Sequence, residues 1–184
     1  TNTDAVLVSN TNEVLAKTKQ TTSEDVSSGI YNAIKQIISD VDIPKEDIKY
    51  IMLGTTHCTN ALVERKELNN IGTIRIGLPA SNAIPTMTNF PEDLKSIFGK
   101  HVHMVHGGYE FDGRLIAPLN EDEVKKCLSQ MKGKIDSLAI TGIFSKTLPD
   151  QESQVAVWAK EILGDSLRIS CSHQIGGLGL LERE

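Results

Sequence analysis

Three polar motifs that could carry chemistry come directly after apolar runs of the chain. They are Gly-Thr-Thr-His at residues 54–57, Thr-Gly-Ile-Phe-Ser at 141–145 and Ser-His at 172–173. In open α/β sheets, ligands bind beyond the carboxyl ends of the strands. Glycine lets the backbone approach a ligand closely, and the start of the following helix favours an anion such as phosphate. The same residue types are ordinary turn residues, so the motifs alone leave both interpretations open.

A fourth polar cluster, Thr1-Asn2-Thr3-Asp4, precedes the first apolar run. The hydroxyl groups of Thr1 and Thr3 could contact phosphate, and Asp4 could orient a metal-bound water. The alternative interpretation is a frayed chain terminus.

Histidines at positions 101, 103 and 106 are close enough in sequence to be considered as metal ligands. On a strand, His101 and His103 would share one face and His106 would point the other way. Since no acidic or cysteine ligand lies at a diagnostic spacing, we predict no dedicated metal site; a zinc site using His101 and His103 is the alternative. His106 opens a Gly-Gly turn and could face a ligand.

The three cysteines are odd in number and include no Cys-x-x-Cys pair. We therefore predict no disulfide framework and a reducing, cytoplasmic location. Cys127 and Cys171 are expected in the core. Cys58 lies within a polar motif, where a structural role and a nucleophilic role both remain open.

The first third of the chain predicts a hairpin, a helix and a buried strand. Strands are expected at 5–9 and 14–17 around an Asn-Thr-Asn turn. Thr21 and Glu24 have capping-box spacing, and apolar residues from Val26 to Val41 recur at helical spacing. The continuous apolar run at 48–53 predicts a strand buried on both faces.

Beyond residue 54 the pattern alternates between helices and strands. Helices are expected at 59–66, 91–98, after the Asn120 cap and at 149–163; strands are expected at 73–78, 101–105, 114–116, 137–143 and 167–171. This alternation predicts an α/β layered domain whose sheet is at least partly parallel. The opening hairpin would make that sheet mixed. We favour one domain over 1–184, with residues 79–118 as a candidate insertion.

Composition excludes several classes of protein. Over 184 residues, 19 Lys and Arg against 24 Asp and Glu give a net charge of −5. With a pI near 5.6 and no basic cluster, nucleic acid is not expected as a partner. No apolar run reaches the ~20 residues that cross a bilayer, so no membrane partner is expected. The chain begins without methionine and opens into an apolar run, which suggests a segment of a longer protein.

Four motifs in order resemble the N-terminal domain of the hydantoinase/oxoprolinase family. Residues 1–5 resemble the end of its Asp-x-Gly-Gly-Thr-x-Thr-Asp motif, and residues 54–65 resemble its Gly-Thr-Thr-x-x-Thr-Asn-Ala-x-x-Glu-Arg segment. Val-His-Gly-Gly-Tyr-Glu-Phe-Asp-Gly at 105–113 is similar to a third hallmark, and the fourth combines residues 172–175 with 180–184. The resemblance covers essentially the whole chain.

This resemblance implies a ribonuclease-H-like, actin/hexokinase-like α/β fold with a mixed sheet and flanking helices. It also implies an ATP- and Mg²⁺-dependent hydrolase that opens cyclic amides such as hydantoin or 5-oxoproline, working with a C-terminal hydantoinase domain or partner subunit in an oligomer. ATP would phosphorylate the amide oxygen, and water would attack the activated carbon. We expect the chain alone to be inactive.

The site residues are assigned on this hypothesis. The cofactor site comprises Thr1, Asn2, Thr3 and Asp4, and the catalytic residues are Asp4, Thr55, Thr56 and Asn60. The predicted substrate-binding residues are His106, Gly107, Gly108, Asp112, Ser172 and His173.

Two alternatives to this activity remain at the sequence level. One is an acetone-carboxylase-type subunit, which would activate a carbonyl compound and bicarbonate. The other is a non-catalytic, actin-like domain that binds a nucleotide or serves as a scaffold.

Overall fold

The computed structural model describes residues 2–21, 26–41 and 43–184. The chain divides into two compact units, Thr1–Thr55 and Thr56–Glu184. Each unit is described by itself below. The expectation of one domain over 1–184, with an insertion at 79–118, stays a prediction.

The first unit is a β-hairpin with one helix. Strands β1 (Asn2–Val8) and β2 (Val14–Thr21) pair antiparallel, and helix α1 (Val26–Asp40) packs against both. The predicted apolar stripe of α1 is confirmed, because Ala33 and Ile37 are buried. Glu24 of the predicted capping box lies outside the described residues. A short 3-10 turn, Lys45–Asp47, follows.

The predicted strand at 48–53 is wrong. These residues have no regular secondary structure, and Tyr50 and Met52 are 81% and 90% exposed. An apolar run shows that a segment favours burial, but a strand also needs a neighbouring edge to take its backbone hydrogen bonds. Within the described part of the chain, no strand pairs with this segment.

The second unit is a four-stranded parallel sheet with helices on both faces. Its strands are β3 (Ile71–Leu78), β4 (His101–His106), β5 (Ser137–Gly142) and β6 (Arg168–Cys171), in the order β4-β3-β5-β6. Its helices are α2 (His57–Glu64), α3 (Glu92–Phe98), α4 (Glu121–Met131), α5 (Asp150–Leu163) and α6 (Leu180–Arg183), with a 3-10 turn at Ser172–Gln174.

Alternation along the strands directs one set of side chains into the main core. Ile74 and Ile76 of β3 and Ile140 of β5 pack with Val124 of α4 and Val155 of α5. The opposite face carries Thr73 and Arg75, and α3 covers part of that face through a smaller apolar cluster. Burying apolar area on both faces is what parallel sheets require.

Two sequence expectations about the sheets need correction. The hairpin forms its own two-stranded sheet and the larger sheet is wholly parallel, so the described residues contain no mixed sheet. The expected strand at 114–116 is only an isolated bridge between Tyr109 and Leu115. Short segments rich in turn residues do not offer a ladder long enough to extend a sheet. The remaining strands and helices beyond residue 54 are confirmed within a few residues.

The chain leaves neighbouring strands β3 and β5 toward opposite faces of the sheet. The connection after β3 leads to α3, and the connection after β5 leads to α5 on the other face. In α/β folds, ligands usually bind at the carboxyl ends of the strands on either side of such a switch point. Among the described residues, no helix combines the length and apolar character that a bilayer crossing needs.

Candidate functional site

The segment after β4 crosses the carboxyl ends of β3 and β5. The Gly107 N–H donates to the Leu78 carbonyl at 3.2 Å, and the Tyr109 N–H donates to the Ile143 carbonyl at 3.3 Å. Gly107 has a φ of +144° and Gly108 a φ of +96°, a region that side-chain-bearing residues rarely adopt. These two glycines let the chain lie directly on the sheet edge.

Three consecutive residues at the start of α5 hold the surrounding loops. Asp150 accepts a hydrogen bond from the Tyr109 hydroxyl, and Gln151 Oε1 accepts one from the Gly108 N–H at 2.6 Å. Glu152, the third, reaches the ends of β5 and β6. The first turn of α5 therefore connects the Gly-Gly crossing to the Ser172-His173 segment.

Glu152 is fully buried and accepts five hydrogen bonds. Its Oε1 receives the Gly142 N–H at 2.8 Å, the Ser145 hydroxyl at 2.5 Å and the Ser172 hydroxyl at 2.6 Å. Its Oε2 receives the His173 N–H at 3.0 Å and His173 Nδ1 at 2.7 Å. A buried carboxylate is stable only when its oxygens are satisfied in this way.

Two opposing effects set the pKa of Glu152. Burial would raise it, but the hydrogen bonds from Ser145, Ser172 and His173 together outweigh burial, so the pKa lies below its ordinary value of 4.5. Its place in the first turn of α5 also favours the negative charge. Glu152 is therefore a carboxylate at neutral pH.

The ionised Glu152 fixes the tautomer of His173. A carboxylate can only accept hydrogen bonds, so the proton of a neutral His173 ring lies on Nδ1. Nε2 then carries the free lone pair. The ring is mostly buried, and its orientation is locked by Glu152, as in carboxylate–histidine pairs that act as bases or ligands.

The same cluster has the spacing of a three-ligand metal site. Ligand atoms of Glu152, Cys171 and His173 lie within 4.8 Å of one another. Both oxygens of Glu152 are already committed to protein donors, and a metal ion would have to displace them. Burial, followed by the charge of Glu152, raises the pKa of Cys171, which favours the neutral thiol. Hydrogen bonding accounts for the cluster better than metal binding does.

The predicted cofactor residues lie in the first unit. Asn2, Thr3 and Asp4 belong to β1, so they do not precede the first strand as expected. Asp4 is exposed and lies 3.7 Å from Lys19 on the paired strand. Thr1 lies outside the described residues.

The predicted catalytic threonines lie at the boundary between the two units in the sequence. Thr55 ends the first unit, and Thr56 precedes α2 and begins the second. The Thr56 carbonyl accepts the Asn60 N–H at 2.8 Å, and the Asn60 side chain is half-buried on α2. Their catalytic role stays a prediction.

Five of the six predicted substrate-binding residues lie in three places of the second unit. Ser172 and His173 lie in the Glu152 cluster, and Gly107 and Gly108 are buried in the crossing segment. His106 lies at the end of β4, where its Nδ1 is 3.1 Å from Glu123 Oε2. These three groups stay predictions as substrate contacts.

Asp112 lies elsewhere, at the exposed tip of a turn. Its carboxylate accepts hydrogen bonds from the backbone N–H and the Nε of Arg114, at 3.2 and 2.8 Å. Asp112 does not share the hydrogen bonds of the Glu152 cluster, and its role in substrate binding stays a prediction.

Other sequence expectations have mixed outcomes. Cys171 belongs to the main core and Cys127 packs against it, as predicted, whereas Cys58 is exposed. His101 and His103 lie on β4, and burial, followed by the charge of His101, lowers the pKa of His103. Among the described residues, neither belongs to a metal-ligand cluster.

Sequence reasoning missed Gln151, Glu152 and the buried arginines Arg75 and Arg183. One signal for Glu152 is present in the sequence. Glu152 lies three residues before Val155, so the two share the buried face of α5. A charged residue on the apolar face of a helix is a candidate for a buried network.

Structural comparison first defines the fold. The chain resembles a chain of nucleotide-free acetone carboxylase, from work on ATP-dependent acetone carboxylation, with a TM-score of 0.70 and 17% sequence identity. The match covers 95% of this chain and 28% of that one, so the chain spans little more than a quarter of its structural neighbour. The comparison with curated proteins gives no match.

A family model then gives the relationship by sequence. The model of the hydantoinase/oxoprolinase N-terminal region matches residues 1–163. The chain belongs to this family, as the motifs predicted.

Proposed function

We propose that the chain is the N-terminal region of an ATP-dependent enzyme that opens cyclic amides of the hydantoin or 5-oxoproline type. Family membership and the likeness to acetone carboxylase support an enzyme of this group. The observation that carries the proposal is the Glu152–His173 pair at the carboxyl edge of the parallel sheet, 2.7 Å from Oε2 to Nδ1. The fold itself is proposed to be ribonuclease-H-like, of the actin/hexokinase type.

The reaction class explains why such a pair is useful. An amide carbon is a poor electrophile, and ATP supplies the phosphoryl group that turns the amide oxygen into a leaving group. Water must then lose a proton as it attacks the carbon. The ring C–N bond of the adduct breaks as the ring nitrogen takes up a proton, and a second water displaces phosphate, with the former amide oxygen, from the acyl carbon. His173 Nε2 is the base proposed to accept the proton of the attacking water, and Glu152 stabilises the imidazolium that results.

The side chains of the first unit are chemically better suited to bind Mg²⁺ and phosphate than those of the Glu152 cluster. Asn2, Thr3 and Asp4 offer oxygen atoms, and Mg²⁺ is usually held by one or two carboxylates together with phosphate oxygens. Asp4 is exposed and only loosely paired. The nitrogen and sulfur atoms of His173 and Cys171 suit other metals. Thr55, Thr56 and Asn60 are proposed to complete the catalytic set.

The rest of the proposal concerns the whole protein. We propose that the chain acts with a C-terminal hydantoinase domain or subunit, in an oligomer in the cytoplasm. The 28% share of the structural neighbour's chain is consistent with a larger protein. An acetone-carboxylase-type reaction is the second candidate, and the structural likeness favours it.

ATP hydrolysis by the protein together with its C-terminal hydantoinase region tests the proposal. It would be assayed with 5-oxoproline, hydantoin, N-methylhydantoin, or acetone plus bicarbonate. Stimulation by a cyclic amide supports the proposal, and stimulation by acetone plus bicarbonate alone supports the second candidate. A folded protein that none of the compounds stimulates contradicts both.

Matched variants connect the activity to the residues. His173→Gln and Thr55→Val are expected to abolish stimulated turnover without unfolding the protein. His101→Gln is the control, since His101 lies at the amino end of β4, on the opposite edge of the sheet. Full turnover in both test variants would favour the scaffold alternative.

A further inference from the structure

An exposed lysine lies directly beside the proposed base. Lys146 Nζ donates to the backbone carbonyl of His173 at 2.8 Å. Lys146 belongs to the turn between β5 and α5, and His173 follows β6, so two separate stretches of the chain bring the ammonium group to this histidine. An accessible positive charge is therefore present at the edge of the Glu152–His173 pair.

The Glu152 carboxylate holds both sides of this contact in place. Its Oε1 accepts the hydroxyl of Ser145, the residue before Lys146, at 2.5 Å. Its Oε2 accepts the His173 N–H at 3.0 Å. Both Ser145 and Glu152 are buried. The backbone that carries the lysine is thus fixed relative to the histidine by the same buried carboxylate that orients the imidazole ring.

The turn that carries Lys146 is itself tightly constrained. Phe144 has a φ of +50°, which is rare for a bulky residue. Its carbonyl accepts the backbone N–H groups of Thr147 and Leu148, at 3.1 and 3.3 Å. A backbone conformation of this kind persists only where the surrounding structure holds it, and such residues cluster at ligand-binding sites. The turn therefore presents Lys146 in a defined position.

The protein does not neutralise the charge of Lys146 with an ion pair. In the part of the chain that the structure describes, no carboxylate oxygen lies within 4.0 Å of its Nζ. A lysine ammonium carries three N–H donors, and the His173 carbonyl occupies one of them. The remaining donors are available to an anionic ligand at the exposed side of the pair.

The ammonium group and the base are close enough to act on one small molecule. Covalent geometry limits the carbonyl oxygen and Nε2 of a histidine to about 7 Å, so Lys146 Nζ lies within about 10 Å of His173 Nε2. An attacking water lies about 3 Å from the base and about 3 Å from the reacting carbon. In a five-membered cyclic amide, a carboxylate on the ring carbon beside the nitrogen lies about 4 Å from the carbonyl carbon. These lengths span the distance from His173 to Lys146.

We propose that Lys146 selects cyclic amides that carry a carboxylate beside the ring nitrogen, by binding that carboxylate. The inference rests on the proposed function and names the class of ligand that the same site takes. 5-Oxoproline carries such a carboxylate, whereas hydantoin and N-methylhydantoin do not. A hydrogen bond between an ammonium and a carboxylate is about twice as strong as one between neutral groups. Lys146 is therefore a specificity-determining residue, and His173 remains the base.

Equilibrium binding to the protein together with its C-terminal hydantoinase region tests the inference without requiring turnover. 5-Oxoproline and 5-oxoprolinamide share the ring and differ in having a carboxylate or a neutral carboxamide. Each is titrated by ligand-observed NMR with Mg²⁺ and a non-hydrolysable ATP analogue present. The wild type is expected to bind the acid about tenfold more tightly than the amide. Lys146→Met keeps the length of the side chain and removes its charge, so it should bind the acid about tenfold more weakly than the wild type does and the amide equally well.

Two further variants separate charge recognition from a structural role. Lys146→Arg keeps the positive charge and is expected to retain the preference for the acid. Lys160→Met is the matched control, because Lys160 is exposed and lies in the last turn of α5, about 12 Å along the helix from Glu152. If Lys146 only supports the His173 backbone, Lys146→Met will weaken the binding of both compounds equally, which overturns the inference.

The remaining outcomes also decide the matter. A preference for the acid that Lys146→Met removes and Lys160→Met retains supports the inference. Failure of the wild type to bind 5-oxoproline, or a preference that survives in Lys146→Met, overturns it. Weaker binding of the ATP analogue by Lys146→Met, with the preference unchanged, would assign the lysine to phosphate instead. ATP-dependent ring opening, assayed separately, reports on the proposed function: charge-dependent binding without ring opening contradicts that function and leaves the assignment of Lys146 in place.

Discussion

Replacing Glu152 with glutamine changes one atom of a buried side chain and disrupts a network of five hydrogen bonds. Three donors face Oε1 and two face Oε2. The carbonyl oxygen of glutamine can serve the first three, which then lose their charge assistance, at about 1 kcal/mol each. Its NH₂ group would face both the backbone N–H and the Nδ1 of His173. A neutral ring can move its proton to Nε2 so that Nδ1 accepts, but the backbone N–H cannot, and one buried N–H without an acceptor costs about 1–3 kcal/mol.

The loss is partly offset because a neutral amide costs less to bury than a carboxylate. We therefore expect Glu152→Gln to lower the free energy of unfolding by about 3 kcal/mol, within the range for breaking a buried charged network. Urea unfolding followed by the fluorescence of Trp158, on the same helix, measures it. At an m-value of about 2 kcal/mol/M, the midpoint falls by about 1.5 M.

Glu161→Gln is the matched control, because Glu161 lies on the same helix and is exposed. It should change stability by less than about 0.5 kcal/mol. The pKa of Glu152 is lower in the folded than in the unfolded state, so its contribution is complete above about pH 4.5 and is lost as the pH falls through the folded value. The difference in unfolding free energy between wild type and Glu152→Gln should therefore become smaller in acid. A gap below about 1 kcal/mol at pH 7 would refute the reasoning.

Three further predictions concern the frame around this cluster. Gly107→Ala should lower the free energy of unfolding by more than about 2 kcal/mol, since its Cβ would lie 2.6 Å from Gln151 Oε1 and φ is +144°. In the same urea assay its control Gly133→Ala, with φ +72° and open space around the new Cβ, should lower it by only about 1 kcal/mol. Burial and the hydrogen bond to Asp150 raise the pKa of Tyr109 to about 12, so ultraviolet titration should find a tyrosine that ionises there and that Tyr109→Phe lacks. The free energy of unfolding should fall between about pH 10 and 12, where this tyrosine is deprotonated only in the unfolded chain. Glu184→Gln should cost about 3 kcal/mol by leaving Arg75 unpaired, and the double variant with Arg75→Met should be less destabilised than the sum of the singles; additive losses would contradict the ion pair.

The elements of the second unit could be predicted from sequence where local signals agreed. Helix α4 shows this best. The sequence predicts Asn120 as its N-cap, and the Asn120 side chain accepts the Glu123 N–H at 3.1 Å. Val124, Leu128 and Met131 then bury one face of the helix. Here capping chemistry and apolar periodicity lie within one segment, so no distant partner was needed to identify the helix.

The failures involve segments whose structure depends on distant residues. The apolar run at 48–53 predicted a buried strand, yet Tyr50 and Met52 are exposed, because pairing depends on an edge that composition does not reveal. The prediction of a mixed sheet was wrong for the same reason. A strand's hydrophobic pattern says which face is buried, but not which sheet the strand joins.

Only part of the candidate site could be predicted from the sequence. Residue type and position after a strand point to Ser172 and His173, and the structure places both against Glu152. Their common partner Glu152 lies about 20 residues earlier, where an acidic residue in a first helical turn has an ordinary capping interpretation. Only its buried position shows that it organises the cluster.

The fate of the amide oxygen tests the proposed reaction most directly. 5-Oxoproline labelled with ¹⁸O at its ring carbonyl is incubated with ATP, Mg²⁺ and the protein together with its C-terminal hydantoinase region, and the released phosphate is analysed by mass spectrometry. If ATP phosphorylates the amide oxygen, each turnover transfers one labelled oxygen to phosphate, and His173→Gln stops this transfer. Ring opening that leaves the phosphate unlabelled would contradict the account, as would labelled turnover that does not depend on His173.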